Sequence, residues 1–197
     1  MATTVTTAPA AAPAATAPTA APVVGRAAVA PSTPRIGLRG SLLLLVAIYA
    51  AAVLSVATRP GDNPVAGWWP AAGLAVNLVT LGRPGLQRLL LTAAGLVVVT
   101  GLANVTGGRD WGISTAFGGA NAAEAVVAGL VLRARHEGPP ALVTLQDFVR
   151  LIVAAVSGGV VIALGAGLAV LALADGSLVE TAQSTFSSHS AAVLVLV

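Results

Sequence analysis

Long charge-free segments dominate the chain from Gly40 onward, and they limit its fold more than any other feature. Three of these segments have 19 or 20 residues and a fourth has 24. They cover Gly40–Thr58, Asn63–Gly82, Leu89–Gly108 and Leu151–Ala174. A fifth, Trp111–Leu132, has 22 residues and one charged interruption, Glu124. At about 1.5 Å per residue, some twenty helical residues cross the roughly 30 Å hydrocarbon core of a bilayer. The sequence therefore predicts an all-α, polytopic integral membrane helix bundle with five full spans and the lipid bilayer as its surroundings.

The low content of charged residues excludes several other protein classes. Only 9% of the residues are charged, whereas a soluble domain usually carries about 25%. A water-soluble enzyme and a disordered chain are both poor interpretations of that figure. The chain has no cysteine, which excludes disulfides and thiolate metal sites.

The arginines predict the orientation of the spans. Eight of the ten fall in segments that the predicted topology places on one side of the membrane. These are Arg26, Arg35, Arg39, Arg83, Arg88, Arg133, Arg135 and Arg150. The opposite side has only Arg59 and Arg109, each near an aspartate. By the positive-inside rule, the N-terminus is predicted to lie in the cytoplasm and the protein in the cell's inner, or plasma, membrane. The net charge of +3 thus reflects topology, and no nucleic-acid partner is expected.

The two ends of the chain differ from its middle. Residues 1–36 consist mainly of Ala, Pro and Thr and are predicted to form a disordered cytoplasmic tail, so the membrane domain covers 37–197. A polar stretch at 181–190 precedes seven apolar residues, Ala191–Val197, which cover only about 10 Å as a helix. We interpret these as the start of a sixth span with its polar lead-in outside the membrane, in a chain truncated from a longer protein. A short re-entrant or interfacial tail is the alternative.

Glu124 is the one acidic residue inside a predicted span, and a bare carboxylate at that depth would cost several kcal/mol. Asn121 lies three residues earlier, on the same helical face. The pair predicts either a position that senses a ligand or a proton, or a structural hydrogen bond between helices. Asn77 and Asn104, in the second and third spans, are candidate partners for them, although a purely structural role is the simpler interpretation of each.

Two tryptophans and a proline mark the outer end of the second span. Trp68 and Trp69 are typical of an anchor at the headgroup level. Pro70 removes a backbone donor, so the helix is predicted to kink or to begin there. One broken helix without a matching partner is weak evidence for transport.

Small residues recur every fourth position along the fifth span, where another helix can approach closely. They are Ala155, Gly159, Ala163 and Gly167. The stripe predicts packing within the bundle or a homodimer through this face, and the sequence does not decide between them.

The sequence indicates no catalytic, cofactor-binding or metal-binding site. Ser157 and His189 suggest an intramembrane serine protease, but their predicted depths differ by something like 15–20 Å, because His189 falls at the outer edge of the sixth span. That separation is too large for the hydrogen bond between nucleophile and base.

Several segments resemble the first membrane-associated sensor (MASE) family of bacteria. The resemblance rests on WPAAGLA at 69–75 with LGR at 81–83, Asn104, GANAAEA at 119–125 with LVLR at 130–133, and LQDF at 145–148. It covers the chain from about Gly40 to the end. It implies a multi-pass sensory domain, usually of about eight helices, placed before a cytoplasmic output module. That module is typically a histidine kinase, a cyclic-di-GMP enzyme or a serine phosphatase.

Two functions follow as hypotheses. The first is a sensory domain without catalysis of its own, which detects an unknown small ligand or other stimulus and relays it to an output module. Trp69, Asn104, Asn121 and Glu124 would form its polar and aromatic core. The second is a small-molecule permease or part of one, which predicts inverted repeats with paired broken helices.

Overall fold

The computed structural model describes residues 35–59, 66–82, 85–134 and 142–197. The predicted disordered tail lies outside this part of the chain, except for its last two residues. Six α-helices make up the regular structure of the described residues. They are α1 (Leu38–Ala57), α2 (Ala71–Leu81), α3 (Leu86–Thr106), α4 (Trp111–Arg133), α5 (Leu145–Leu173) and α6 (Leu178–Leu196).

Four of these helices, α1, α3, α4 and α5, are long and apolar enough to cross a membrane. Many of their large apolar side chains are exposed, for example Leu43 on α1, Leu91 on α3 and Leu164 on α5. Polar side chains such as Asn104 and Glu124 are buried instead. This distribution is the one expected where lipid rather than water surrounds the bundle. The prediction of an all-helical, multi-pass membrane protein is thus supported, with four helices rather than five meeting the length and composition of a span.

Helices α2 and α4 form the centre of the bundle. Helix α4 packs against α2, α3 and α5, while α2 also contacts α1 and α6. The start of α1 meets the end of α2 through a bond from the Ile36 amide to the Leu81 carbonyl. The Arg133 guanidinium, at the end of α4, donates to the Val79 carbonyl at 3.1 Å. The starts of α1 and α3 and the ends of α2 and α4 thus lie together, and we call this side the arginine face.

The second predicted span is shorter than expected. The uncharged run from Asn63 to Gly82 gives a described helix of only 11 residues, which begins after Pro70. Pro70 is the N-cap, as the prediction of a helix start at this proline requires. At about 1.5 Å per residue, α2 is roughly 16 Å long and covers only about half of a hydrocarbon core.

The polar stretch at 181–190, predicted to be a lead-in outside the membrane, is helical and packs against the bundle. It belongs to the 19-residue α6, whose Thr181, Thr185, Ser188 and His189 are buried against the bundle. The hydroxyl of Thr185 donates to the Thr181 carbonyl one turn earlier, at 2.8 Å. Because α6 supplies such partners itself, its hydroxyl-bearing side chains can be buried without ending the helix.

The stripe of small residues on α5 packs against α6 within the chain. A Cβ on Gly159 would clash with Ser190 and Phe186, and one on Gly167 would lie 3.0 Å from the Leu178 carbonyl. Helix α6 thus covers this face, and a homodimer that used it would have to displace α6.

Candidate functional site: a buried ring of four side chains

Helix α4 carries two of the predicted site residues, Asn121 and Glu124, on its buried face. The Asn121 side chain is engaged at both ends: Nδ2 donates to the Phe117 carbonyl at 2.7 Å, and Oδ1 accepts a bond from Trp69 at 2.8 Å. Asn121 therefore joins α4 to the segment that precedes α2, across 52 positions of sequence.

Trp69 and its neighbour Trp68 occupy different environments. Trp68 is 57% exposed, which suits the predicted interfacial anchor. Trp69 is only 4% exposed, and its Nε1 is the donor to Asn121. Pro70 fixes the backbone at this point as the N-cap of α2, and the Trp69 carbonyl accepts from the Ala72 amide. Trp69 thus belongs to the interior of the bundle.

Glu124 contacts His189, a residue that the sequence analysis placed at a different depth. His189 Nδ1 lies 2.6 Å from Glu124 Oε2, and the two side chains are 4% and 1% exposed. Glu124 is about 20 Å along α4, and His189 is about 17 Å along α6. The expectation that His189 lies at the outer edge of its span is therefore wrong, because α6 begins eleven residues earlier at Leu178.

Trp69 also stacks on His189, which closes the arrangement into a ring. The two aromatic rings are 5.8 Å apart at their centroids and inclined by 10°. Contacts run from Asn121 to Trp69, from Trp69 to His189, from His189 to Glu124, and along one turn of α4 back to Asn121. We call these four side chains the polar ring. It connects α4, α6 and the start of α2 inside the bundle.

The Glu124–His189 pair can hold a proton in more than one arrangement. At 2.6 Å, either an imidazole N–H donates to the carboxylate or a protonated carboxyl donates to the imidazole. Glu124 Oε1 is buried and has no hydrogen-bond partner among the described residues. Buried polar atoms are rarely left unpaired, and Oε1 is one of two such side-chain atoms in the described part of the chain.

Glycine at position 158 leaves room for the Glu124 side chain. A Cβ there would lie 3.2 Å from Glu124 Cγ and 3.1 Å from the Cβ of Ala128. The absence of a side chain on this part of α5 thus helps to accommodate Glu124 between the helices.

A small cavity of about 20 Å³ adjoins the polar ring, enough for about one water molecule. Trp69, Asn121 and His189 contribute to its walls, together with Phe117 and Arg109. Its position lets a small polar group reach three members of the ring.

Arg109 closes the cavity on the side opposite the arginine face. Its guanidinium donates to Asn104 Oδ1 at 2.5 Å, and its Cζ lies 4.8 Å from the centroid of the Phe117 ring. Burial lowers the pKa of Arg109 to about 10, and repulsion from Arg59 contributes to the shift. The group still carries its charge at neutral pH. The neighbouring Asp110 caps α4 by accepting from the Gly112 amide at 2.8 Å.

The remaining predicted site residues lie elsewhere. Asn104 Nδ2 donates to the Thr100 carbonyl, and its oxygen accepts from Arg109. Asn77 Nδ2 donates at 2.8 Å to the carbonyl of Leu196, at the end of α6. The idea that these two asparagines are the partners of Asn121 or Glu124 is therefore wrong, since Trp69 and His189 take those roles.

The described residues contain no cluster of three or more His, Cys, Asp or Glu side chains that could hold a metal ion.

Ser157 and His189 do not contact each other as a nucleophile and base would. Ser157 donates to the Val153 carbonyl of its own helix. His189 pairs with Glu124 instead. The ring is a hydrogen-bonded and stacked contact between helices that contains two ionisable side chains.

Trp69→Phe should lower the free energy of unfolding by about 1 kcal/mol, because it removes the Nε1 donor while keeping an aromatic ring against His189. Trp68→Phe is the matched control: its side chain is exposed, and a change below about 0.5 kcal/mol is expected. Unfolding in mixed micelles measures both. Equal effects of the two substitutions would contradict the assignment of Trp69 to the interior.

Comparisons with known proteins identify no relative of this chain. No protein-family model, curated protein or solved structure matches the chain.

Proposed function

We propose that this chain is the sensory part of a bacterial membrane signalling protein, of the first MASE type, and that the polar ring is its switch. The observation that carries the proposal is the contact between two of the segments on which the resemblance rests. Trp69 of the WPAAGLA segment bonds to Asn121 of the GANAAEA segment, and Glu124 of the latter bonds to His189. Ionisable residues inside a membrane bundle are rare, and a buried pair of them supports the hypothesis of a functional site.

The proposed switch works through packing between helices. A proton or a small ligand that changes the hydrogen bond between Glu124 and His189 changes the contact of α6 with α4. The helices are in equilibrium between two packings, and a stimulus shifts this equilibrium only by the free energy with which it favours one packing over the other. The helices relay the change to an output module outside these 197 residues, and the chain itself has no catalytic role.

The proposed topology places the arginine face in the cytoplasm of the cell, at the plasma membrane. This side of the bundle carries Arg88 near the start of α3, Arg133 at the end of α4 and Arg150 near the start of α5. The positive-inside rule predicts such an excess of arginine on the cytoplasmic side. In this topology the segment before α2 and α2 itself complete one crossing together. Helix α6 runs in the same direction as α2, since Gly73 meets Ala192 and Asn77 meets Leu196.

Glu124→Gln should change the signalling output of the full-length protein several-fold without preventing membrane insertion. The substitution keeps the shape of the side chain and removes its ability to exchange a proton, and His189→Gln should act in the same direction. The output is the kinase, cyclic-di-GMP or phosphatase activity of the full-length protein in membranes, measured with and without the candidate stimulus or across pH.

Glu180→Gln provides the control, because it makes the same chemical change at an exposed position on α6. It should leave the output unchanged. An output equal to that of the unmodified protein for both Glu124→Gln and His189→Gln would rule out the polar ring as the switch.

A permease is the second candidate, and the break before α2 is the observation that favours it. Transporters often build their binding sites at discontinuous helices, and α2 begins partway along the bundle, beside the small cavity. Solute or proton flux in proteoliposomes separates the two functions. A sensor produces no flux above that of protein-free vesicles, whereas a permease produces flux that depends on Glu124.

A further inference from the structure

A second, larger cavity lies on the arginine face, away from the polar ring. It has a volume of about 460 Å³ and lies between the starts of α1 and α3 and the ends of α2 and α4. None of the described residues that line it belongs to the polar ring. We call this cavity the arginine-face cleft.

The walls of the arginine-face cleft are largely apolar. Leu42 and Leu45 contribute from α1, Leu78 from α2, and Leu91 from α3. Leu42 is 53% exposed and Leu91 is 61% exposed. In a bilayer such side chains contact hydrocarbon, so a lipid tail can enter the cleft without losing its apolar surroundings.

Positive charge is concentrated at the same cleft. Arg88 on α3 is exposed, and Arg133 on α4 uses Nη1 to donate to the Val79 carbonyl. Both line the cleft, and none of the described lining residues is acidic. Helix α1 also begins there, and its N-cap, Gly37, has no side chain that could cap the first amides of the helix. The positive end of the α1 dipole therefore adds to the field of the two arginines.

We propose that the arginine-face cleft binds one anionic phospholipid, with the phosphate between Arg88 and Arg133 and an acyl chain along Leu42, Leu45 and Leu91. Charge complementarity selects an anionic headgroup. The apolar walls select a lipid over a soluble phosphate, because a free ion would leave most of the 460 Å³ unfilled.

The proposed lipid site can be tested by native mass spectrometry of the purified chain. The added lipid is phosphatidylglycerol or phosphatidylcholine with identical acyl chains. The unmodified protein should retain phosphatidylglycerol preferentially. Arg88→Gln and Arg133→Gln should each weaken that binding about fivefold, and the double variant about thirtyfold. Thr92→Trp, which fills the cleft from α3 without changing its charge, should reduce the binding of both lipids.

Arg150→Gln is the matched control, since it removes one positive charge associated with the same face but does not line the cleft. It should retain the lipid preference. An equal loss in this variant would mean that only the general surface charge matters, and equal retention of the two lipids would exclude an anionic site. Displacement of the lipid by millimolar inorganic phosphate would assign the arginines to a soluble anion instead. Because Arg88 is exposed, Arg88→Gln keeps the test valid even if Arg133→Gln unfolds the bundle.

Discussion

Replacing Gly118 with alanine should destabilise the bundle by about 3 kcal/mol or more. A Cβ at this position would lie 2.6 Å from the Val97 carbonyl oxygen and 3.2 Å from the Gly101 amide nitrogen. Both are backbone atoms of α3, so a change of rotamer cannot relieve the contact. Helices α3 and α4 would have to separate, with loss of the packing between them. Equilibrium unfolding in mixed micelles measures the change.

Gly119 offers a control one position away on the same helix. A Cβ there meets nothing within 4 Å, so Gly119→Ala should be neutral or should stabilise the protein by up to about 1 kcal/mol through helix propensity. The difference between the two substitutions thus separates the effect of close packing between helices from the effect of helix propensity. If Gly118→Ala were as mild as Gly119→Ala, the close approach of α3 to α4 would be wrong.

Removing either partner of the Glu124–His189 pair should cost about 2–3 kcal/mol, while removing both should cost clearly less than the sum. Glu124→Leu leaves a buried imidazole without its partner, and His189→Leu leaves a buried carboxyl group. Polar contacts between membrane helices couple by about 0.6 kcal/mol on average and by at most about 1.7 kcal/mol, so for this buried pair we expect a coupling energy of about 1–1.7 kcal/mol. A double-mutant cycle of unfolding free energies gives this value directly.

A second cycle, between Glu124→Leu and Glu180→Leu, controls for general effects on α6. Glu180 is exposed and about 14 Å along the helix from His189, so the two changes should add to within about 0.5 kcal/mol. Additive costs for Glu124→Leu and His189→Leu would show that the two side chains do not interact in the membrane.

The spans that consist almost wholly of uncharged residues could be predicted well from the sequence. The uncharged runs located α1, α3 and α4 to within a few residues, because a chain in lipid must satisfy its backbone as helix. Helix α5 begins six residues before its uncharged run, at Leu145. A capping box explains this: Thr144 accepts from the Asp147 amide, and the Asp147 carboxylate accepts from the Thr144 amide. The charges of the first turn extend the helix rather than ending it.

The polar ring could be predicted only in part. Proximity of Asn121 and Glu124 follows from helical spacing, whereas contacts across 52 and 65 positions depend on how neighbouring helices are placed. The pairing of His189 with Glu124 was not predicted, because the polar stretch at 181–190 was interpreted as a lead-in outside the membrane. The signal was present, however: Thr181, Thr185, Ser188 and His189 recur at helical spacing on one face.

Helix α5 is longer than the hydrocarbon core of a bilayer. Its 29 residues extend about 43 Å, against roughly 30 Å of hydrocarbon. Observed tilts average about 20° and rarely exceed 40°, so tilting alone does not hide the excess. The charged residues Asp147 and Arg150 lie in the first two turns, and without those turns the rest of the helix fits with a modest tilt. The start of α5 therefore extends past the hydrocarbon core into the headgroup region, which brings a bilayer to about 40–45 Å in total, and a change in the tilt of α5 moves this end at the membrane surface.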